Sequence, residues 1–322
     1  MSNRRLLFAV LMAATFFTAS GQAQHFDKGG PRQGSVFMPG SPGGGPGSDT
    51  EEQEKEQTKE APGDDSSNVS AENMPSELND EQKEEVVQFV IGNSTFIMFH
   101  EAGHMLISEL GLPVLGREED AVDTLSAILL LEGRDETLDQ AITDSADGWF
   151  LSGEQMAEDD EYAFWDSHGI DDQRAYQIVC MMVGHDAEGF KEFADSIEYP
   201  QDRREECVSE YEQARNSWYT LLKPHLNPEG KKSKIEVVYE KPSTADQKPA
   251  ADLIKESKLL EHAAEMFGDL YQLKPGIKFV GKSCGEPNAY WYPGERQVTF
   301  CYELAQYYIA LDTQWHINNP DG

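Results

Sequence analysis

One uninterrupted run of helical periodicity, between residues 80 and 110, constrains the fold of this chain more than any other feature. Asn79 and Asp80 are residue types that cap helix N-termini, and Gly111 followed by Pro113 is a typical helix end. The apolar residues between these signals are Val86, Val87, Phe89, Val90, Phe96, Ile97, Phe99, Met105, Leu106, Ile107 and Leu110. Their spacing predicts a single long helix that ends at Gly111.

The sequence that follows predicts further helices and a few short strands. Helical spacing of apolar residues favours helices over 118–131, 173–183, 203–222, 251–270 and 303–311. Strand patterns occur at 277–280, 289–292 and 297–302, and a Pro293-Gly294 turn joins the last two. Residues 230–250, around the strand-like segment 235–239, are predicted to be a surface excursion or linker. Together these elements predict an α+β fold that is dominated by helices and contains a small antiparallel sheet.

The N-terminal quarter of the chain has a different composition. Two arginines precede the short apolar segment 6–18, and Gly21-Gln22-Ala23 supplies the small residues of a cleavage site, so residues 1–23 are predicted to be a signal peptide. This segment is too short for a transmembrane helix, which needs about 20 apolar residues. Residues 24–80, rich first in Gly and Pro and then in acidic residues, are predicted to be a disordered linker. We therefore expect a secreted or periplasmic protein without stable membrane insertion, folded over residues 81–322.

The charge of the chain excludes one class of partner. Acidic residues number 59 and basic residues 26, which gives a formal net charge of -33. A surface of this sign repels phosphate backbones. We expect no nucleic-acid partner.

All four cysteines, Cys180, Cys207, Cys284 and Cys301, lie beyond the predicted signal peptide. An even number of cysteines in an exported chain favours disulfides. Pairing neighbours along the chain joins Cys180 to Cys207 and Cys284 to Cys301, which is the simplest of the three possible connectivities. Buried free thiols are the alternative.

Inside the long helix lies the segment His100-Glu101-Ala102-Gly103-His104. Two histidines four residues apart share one face of a helix, so both imidazoles can reach one metal ion, with Glu101 beside them. Glu101 is then the candidate general base for a water that a zinc ion activates. The alternative is a chance match on an ordinary core helix. Catalysis by zinc requires a third protein ligand and one open position.

The next predicted helix offers that ligand. Glu119 and Asp123 are four residues apart and share a helix face. Glu119 is the candidate third ligand, and Asp123 can accept a hydrogen bond from the non-ligating nitrogen of His100 or His104. Glu118 or Asp120 as the ligand is the alternative assignment.

These residues resemble the pattern of the glutamate-liganded zinc peptidases, the gluzincins, in which His-Glu-x-x-His is followed by Glu-x-x-x-Asp, although the gap between the halves is shorter here. More closely, the chain resembles a bacterial family of putative metallopeptidases of otherwise unknown function. The segments that carry this resemblance are 99–104, 113–123, 168–176, 284–290 and 301–304. The resemblance implies a zincin-like domain that hydrolyses a peptide or protein substrate.

The resemblance also implies a hydrogen-bond donor that stabilises the oxyanion, for which His168 and Arg174 are the candidates. An ion pair with Asp171 or Asp172 is the alternative role of Arg174. The C-terminal hairpin is a candidate sheet edge for an extended peptide, and packing of its aromatic residues in the core is the alternative.

Three functions remain open at this stage. The first is a zinc-dependent peptidase, the second is zinc hydrolysis of another bond, and the third is a non-catalytic extracellular module that retains zinc or only the fold.

Overall fold

The computed structural model describes residues 74–133, 135–155 and 164–320. The predicted signal peptide and most of the predicted linker lie outside these residues. Met74 and Leu78 at the start of the described chain are buried against the helices that follow. The described residues form the predicted α+β fold, in which helices dominate and one small sheet is present.

The predicted long helix is present as α1, Asp80–Leu110. At its N-terminus the side chain of Asn79 accepts a hydrogen bond from the Gln82 amide, and the Gln82 side chain accepts one from the Asn79 amide. At its C-terminus Gly111 adopts a φ of 64°, which a residue without a Cβ reaches without strain. The sequence signals at both ends of this helix are therefore confirmed.

The remaining helices of the described chain surround α1. In chain order they are α2, Glu118–Glu132; α3, Glu136–Glu154; α4, Asp171–His185; α5, Lys191–Ser196; α6, Gln201–Leu222; α7, Lys248–Glu256; α8, Leu259–Leu270; and α9, Tyr302–Asn318, with a short 3-10 helix at Lys223–His225. Helix α1 contacts α2, α3, α8 and α9 as well as the sheet. Because it is buried on several sides, it acts as the central element of the core.

Two parts of the helix prediction were wrong or incomplete. The helix predicted over 251–270 is two helices, α7 and α8, which are separated at Lys258, a residue with a φ of 53°. Helix α3 was not predicted, because much of its buried surface consists of small or polar residues such as Thr143, Ser145 and Gly148, which produce no apolar stripe.

The sheet has four strands in the order β1-β2-β4-β3. The strands are β1, Ile235–Tyr239; β2, Ile277–Lys282; β3, Ala289–Tyr292; and β4, Gln297–Cys301. The β3–β4 pair is antiparallel as predicted, with Trp291 opposite Val298. The other two pairs are parallel, so the sheet is mixed rather than purely antiparallel. Helices α7 and α8 form the crossover that a parallel β1–β2 pair requires.

Both predicted disulfides are present. The Cys180–Cys207 bridge joins α4 to α6, and the Cys284–Cys301 bridge joins the segment after β2 to the end of β4. Cross-links of this kind are typical of exported proteins. Over the described residues, no helix combines the length and the apolar character that a membrane crossing requires.

Candidate metal centre

Helix α1 presents both histidines and the glutamate of the His-Glu-x-x-His segment from its central, buried part. His100 and His104 are one helical turn apart, and their Nε2 atoms lie 3.2 Å from each other. Only 3 % of His100 and 8 % of Glu101 is exposed to solvent. Because α1 is held on several sides, these side chains have little freedom to move.

A glycine allows the second helix to approach this face. A Cβ atom added to Gly103 would lie 2.8 Å from Cγ1 of Val122 on α2, which is closer than side chains pack. Without that atom α2 packs directly over the histidines, and Glu119 on its first turn reaches them. Oε2 of Glu119 lies 3.1 Å from Nε2 of both His100 and His104.

The three donor atoms fit a zinc ion. His100, His104 and Glu119 each offer one ligand atom, and these atoms all lie within 4.8 Å of one another. Two imidazole nitrogens and one carboxylate oxygen form a donor set that catalytic zinc sites use, and they leave a position open for water or substrate. The structure thus brings together the two predicted histidines and the predicted third ligand.

The outer nitrogens of the two histidines are held by different carboxylates. Nδ1 of His100 lies 2.7 Å from Oδ1 of Asp123, and Nδ1 of His104 lies 2.7 Å from Oε1 of Glu118. A proton on Nδ1 that is donated to a carboxylate leaves the lone pair on Nε2, which faces the other donor atoms. Asp123 therefore lies where the predicted orienting residue would be, and Glu118 contacts the outer nitrogen of the second histidine.

Charge in this cluster shifts the pKa values of its members. Burial raises the pKa of Glu119, but hydrogen bonds from His100, His104 and His168 outweigh it and hold the pKa well below its usual range. Burial lowers the pKa of His100, but Asp123 and Glu119 outweigh it and raise the pKa to about 9. A metal ion must therefore displace a proton from the metal-free cluster.

Arg174 on α4 supports the cluster from behind. Its Nε and Nη2 atoms donate to the two carboxylate oxygens of Asp123 at 2.8 and 2.7 Å. The guanidinium also lies 3.7 Å from the ring centroid of Trp149. Arg174 thus pairs with Asp123 rather than with Asp171 or Asp172, the partners considered from the sequence.

Glu101 lies where α1 meets the edge strand of the sheet. The backbone amide of Trp291 in β3 lies near its carboxylate and lowers its pKa. Burial raises the pKa of Glu101, and the neighbouring histidines and the Trp291 amide reduce this shift. A glutamate with a raised pKa is better matched to accepting and then releasing a proton near neutral pH.

A cleft of about 280 Å³ opens beside Glu101 and His100. His168 borders it, and the side chain of His168 is 46 % exposed. Its Nε2 lies 3.0 Å from Oε2 of Glu119, and its Nδ1 lies 3.1 Å from Oδ1 of Asp166. Both oxyanion-donor candidates line this cleft, but Arg174 has two of its nitrogens committed to Asp123.

Sequence reasoning did not anticipate two contacts of the centre. Glu118 holds His104, and the Trp291 amide reaches Glu101. The contact between Glu118 and His104 depends on how α2 packs against α1. The contact between Trp291 and Glu101 depends on where the edge of the sheet lies. No spacing within the sequence marks either contact.

These residues have the arrangement that is expected of a metallopeptidase with a His-Glu-x-x-His helix. A family model described as DUF4344, putative metallopeptidase, matches residues 66–222 and 239–318. The chain belongs to this family. No curated protein and no solved structure matches the chain.

Proposed function

We propose that this protein is a secreted or periplasmic zinc-dependent peptidase in which Glu101 is the general base. The observation that carries the proposal is the convergence of His100, His104 and Glu119, together with an open cleft that His100 and Glu101 line. A zinc ion held by these three residues would lower the pKa of a water molecule and polarise the scissile carbonyl.

Glu101 would move the proton. Its carboxylate would accept a proton from the attacking water and then donate that proton to the leaving amine. The Trp291 amide of the sheet edge lies near this carboxylate and favours its charged form. The raised pKa of Glu101 favours the first half, the acceptance of the proton from water.

His168 would stabilise the negative charge that develops on the carbonyl oxygen. It is the more exposed of the two candidate donors and borders the cleft beside the metal ligands. Its Nε2 contacts Glu119 and its Nδ1 contacts Asp166, and the commitment of Glu119 to zinc would release Nε2 to donate to the oxyanion. Arg174 would act mainly through Asp123, by keeping His100 in place.

Strand β3 supports a peptide as the substrate. It is the outer strand of the sheet, and it lies against α1 next to Glu101. An extended peptide could pair with such an edge through backbone hydrogen bonds. This arrangement would present the scissile bond to Glu101.

The two disulfides support an oxidising location, and the charge of -33 supports a protein partner rather than a nucleic acid.

The substitution Glu101→Gln tests the proposal. It removes the base but none of the metal donors, so we expect zinc content to stay at the wild-type level and cleavage of a peptide library to be lost. A matched control is Asp120→Asn, an acidic residue near the centre whose side chain pairs with Arg117 at the surface. This control should keep both properties. Wild-type protein that binds zinc but cleaves no peptide would support a non-catalytic module instead.

A further inference from the structure

The cleft beside Glu101 contains one further carboxylate, that of Asp171. We propose that Asp171 is a specificity residue that binds the cationic side chain of a Lys or Arg in the substrate. This inference rests on the proposed function, because it takes the occupant of the cleft to be a peptide.

One carboxylate oxygen of Asp171 is hydrogen-bonded to a neighbour, and the other is available to a ligand. It stands at the first position of α4, and its Oδ2 accepts a hydrogen bond of 2.7 Å from Oγ of Ser152. The hydroxyl of Tyr307 lies 3.0 Å from that same Oγ. Within the described part of the chain no hydrogen bond is formed to Oδ1 of Asp171. The carboxylate is therefore oriented by its neighbours while one oxygen remains available to a ligand.

The carboxylate of Asp171 makes no direct ion pair with the described residues that line the cleft, although its charge raises the pKa of Arg174. Among the described residues that line it, Arg174 is the only arginine or lysine, and its charge is matched by the two-point contact with Asp123. Asp171 has no ion pair with Arg174 or with any other described residue. A guanidinium or an ammonium would supply the missing partner through a charge-assisted hydrogen bond.

The walls of the cleft suit the stem of a long side chain. Ile97, Trp149, Leu304 and Tyr308 contribute apolar and aromatic surface to the cleft that Glu101 and Asp171 also line. Lys and Arg pack their methylene groups on such surface while the charged end reaches a polar partner. The α-ammonium group of a substrate carries the same charge but no such stem, so the walls favour a side chain over a free N-terminus.

Binding of short peptides to the zinc-loaded Glu101→Gln protein tests this inference without requiring turnover. The probes are fluorescently labelled alanine peptides with blocked ends that carry Arg, Lys or citrulline at one scanned position, and a second set has free N-termini. Citrulline matches arginine in shape but lacks its charge. We expect the Arg peptide to bind about tenfold more tightly than the citrulline peptide at the preferred position.

Asp171→Asn should reduce that ratio to near one. Asp172→Asn makes the same change in charge at the next residue, which does not line the cleft, and should leave the ratio unchanged. If Asp171→Asn does not fold, Asp171→Ser serves as the second variant, because serine is well accepted near a helix N-terminus.

Equal binding of Arg and citrulline peptides by the protein with Asp171 intact would overturn the inference, as would a preference that survives Asp171→Asn. A preference for free N-termini in place of Arg or Lys, lost in Asp171→Asn, would also overturn the assignment to a side chain. Failure of the proposed function gives a different result: wild-type protein would cleave no peptide, whereas the Arg preference in binding would remain.

Discussion

His100 and His104 each use their two ring nitrogens for different tasks. The Nε2 atoms converge on Glu119, and the Nδ1 atoms are held by Asp123 and Glu118. Each histidine therefore has its own orienting carboxylate. Outer partners of this kind fix the ring and its tautomer, so they should contribute to metal affinity without touching the metal.

Glu118→Gln tests that contribution. The glutamine keeps the size of the side chain but orients His104 less strongly, so we expect zinc affinity to fall by about tenfold. The zinc dissociation constant, measured with a competing chelator, is the readout. Asp120→Asn removes an equally near carboxylate that has no contact with either histidine, and should leave the constant unchanged. Equal constants in all three proteins would show that Glu118 does not orient a ligand.

At the scale of residues, the sequence predicts which side chains lie close together on one face of a helix. Glu119 and Asp123 are one turn apart, and their proximity to each other followed from helical spacing. The choice between Glu118 and Glu119 as the residue facing both Nε2 atoms depended on how α2 is rotated against α1. The rotation of α2 depends on the packing of Val122 against Gly103. This contact joins two different helices, so helical spacing within the sequence does not predict it.

At the scale of elements, α2 is fixed at both of its ends. Its N-terminal end carries the residues of the metal centre, and its C-terminal end carries Glu132, which is buried. Arg215, Tyr211 and Tyr219 on α6 all donate hydrogen bonds to the Glu132 carboxylate. This ion pair and its hydrogen bonds anchor the far end of the helix that supplies Glu119.

The Glu132 network predicts a dependence of stability on pH. Burial raises the pKa of Glu132, but the bonds from Arg215 and the two tyrosines outweigh it and lower the pKa from 4.5 to about 2. A depressed pKa contributes stability that is fully present above pH 4.5 and is lost as the pH falls through about 2. The contribution at neutral pH is about 3 kcal/mol.

Glu132→Gln should therefore lower the free energy of unfolding at pH 7, and the difference from wild type should shrink between pH 4.5 and pH 2. Urea unfolding across this range provides the measurement. Glu205→Gln changes an exposed carboxylate on α6 and is the matched control, with little effect expected at any pH. A difference between Glu132→Gln and wild type that does not change with pH would contradict the assignment.

The elements themselves differ in how far the sequence predicts them. Helix α1 was predictable because strong caps enclose large apolar residues at regular spacing. The division between α7 and α8 was not, because Lys258 adopts a left-handed conformation that neither glycine nor proline marks. The parallel strand pairs also escaped prediction, since local patterns specify a strand but not its neighbour.

At the scale of the whole molecule, the core fixes the position of the candidate metal centre relative to the edge strand of the sheet. Helix α1 packs against four other helices and against β3, so the two candidate metal-binding histidines, the proposed base and the candidate peptide-binding edge are all positioned by one element. The Cys284–Cys301 bridge further restrains the segment that leads into β3. Net negative charge would attract cationic peptides over long distances, in agreement with the role inferred for Asp171.

The central claim is that His100, His104 and Glu119 form one zinc site. Isothermal titration of zinc into metal-free protein tests it most directly, with Glu119→Ala as the variant and Asp120→Ala as the matched control. We expect one zinc ion per chain in the wild type and the control, and an affinity that is at least about 100-fold weaker in Glu119→Ala because a direct ligand is lost. Absence of zinc binding by the wild type, or undiminished affinity in Glu119→Ala, would contradict the claim.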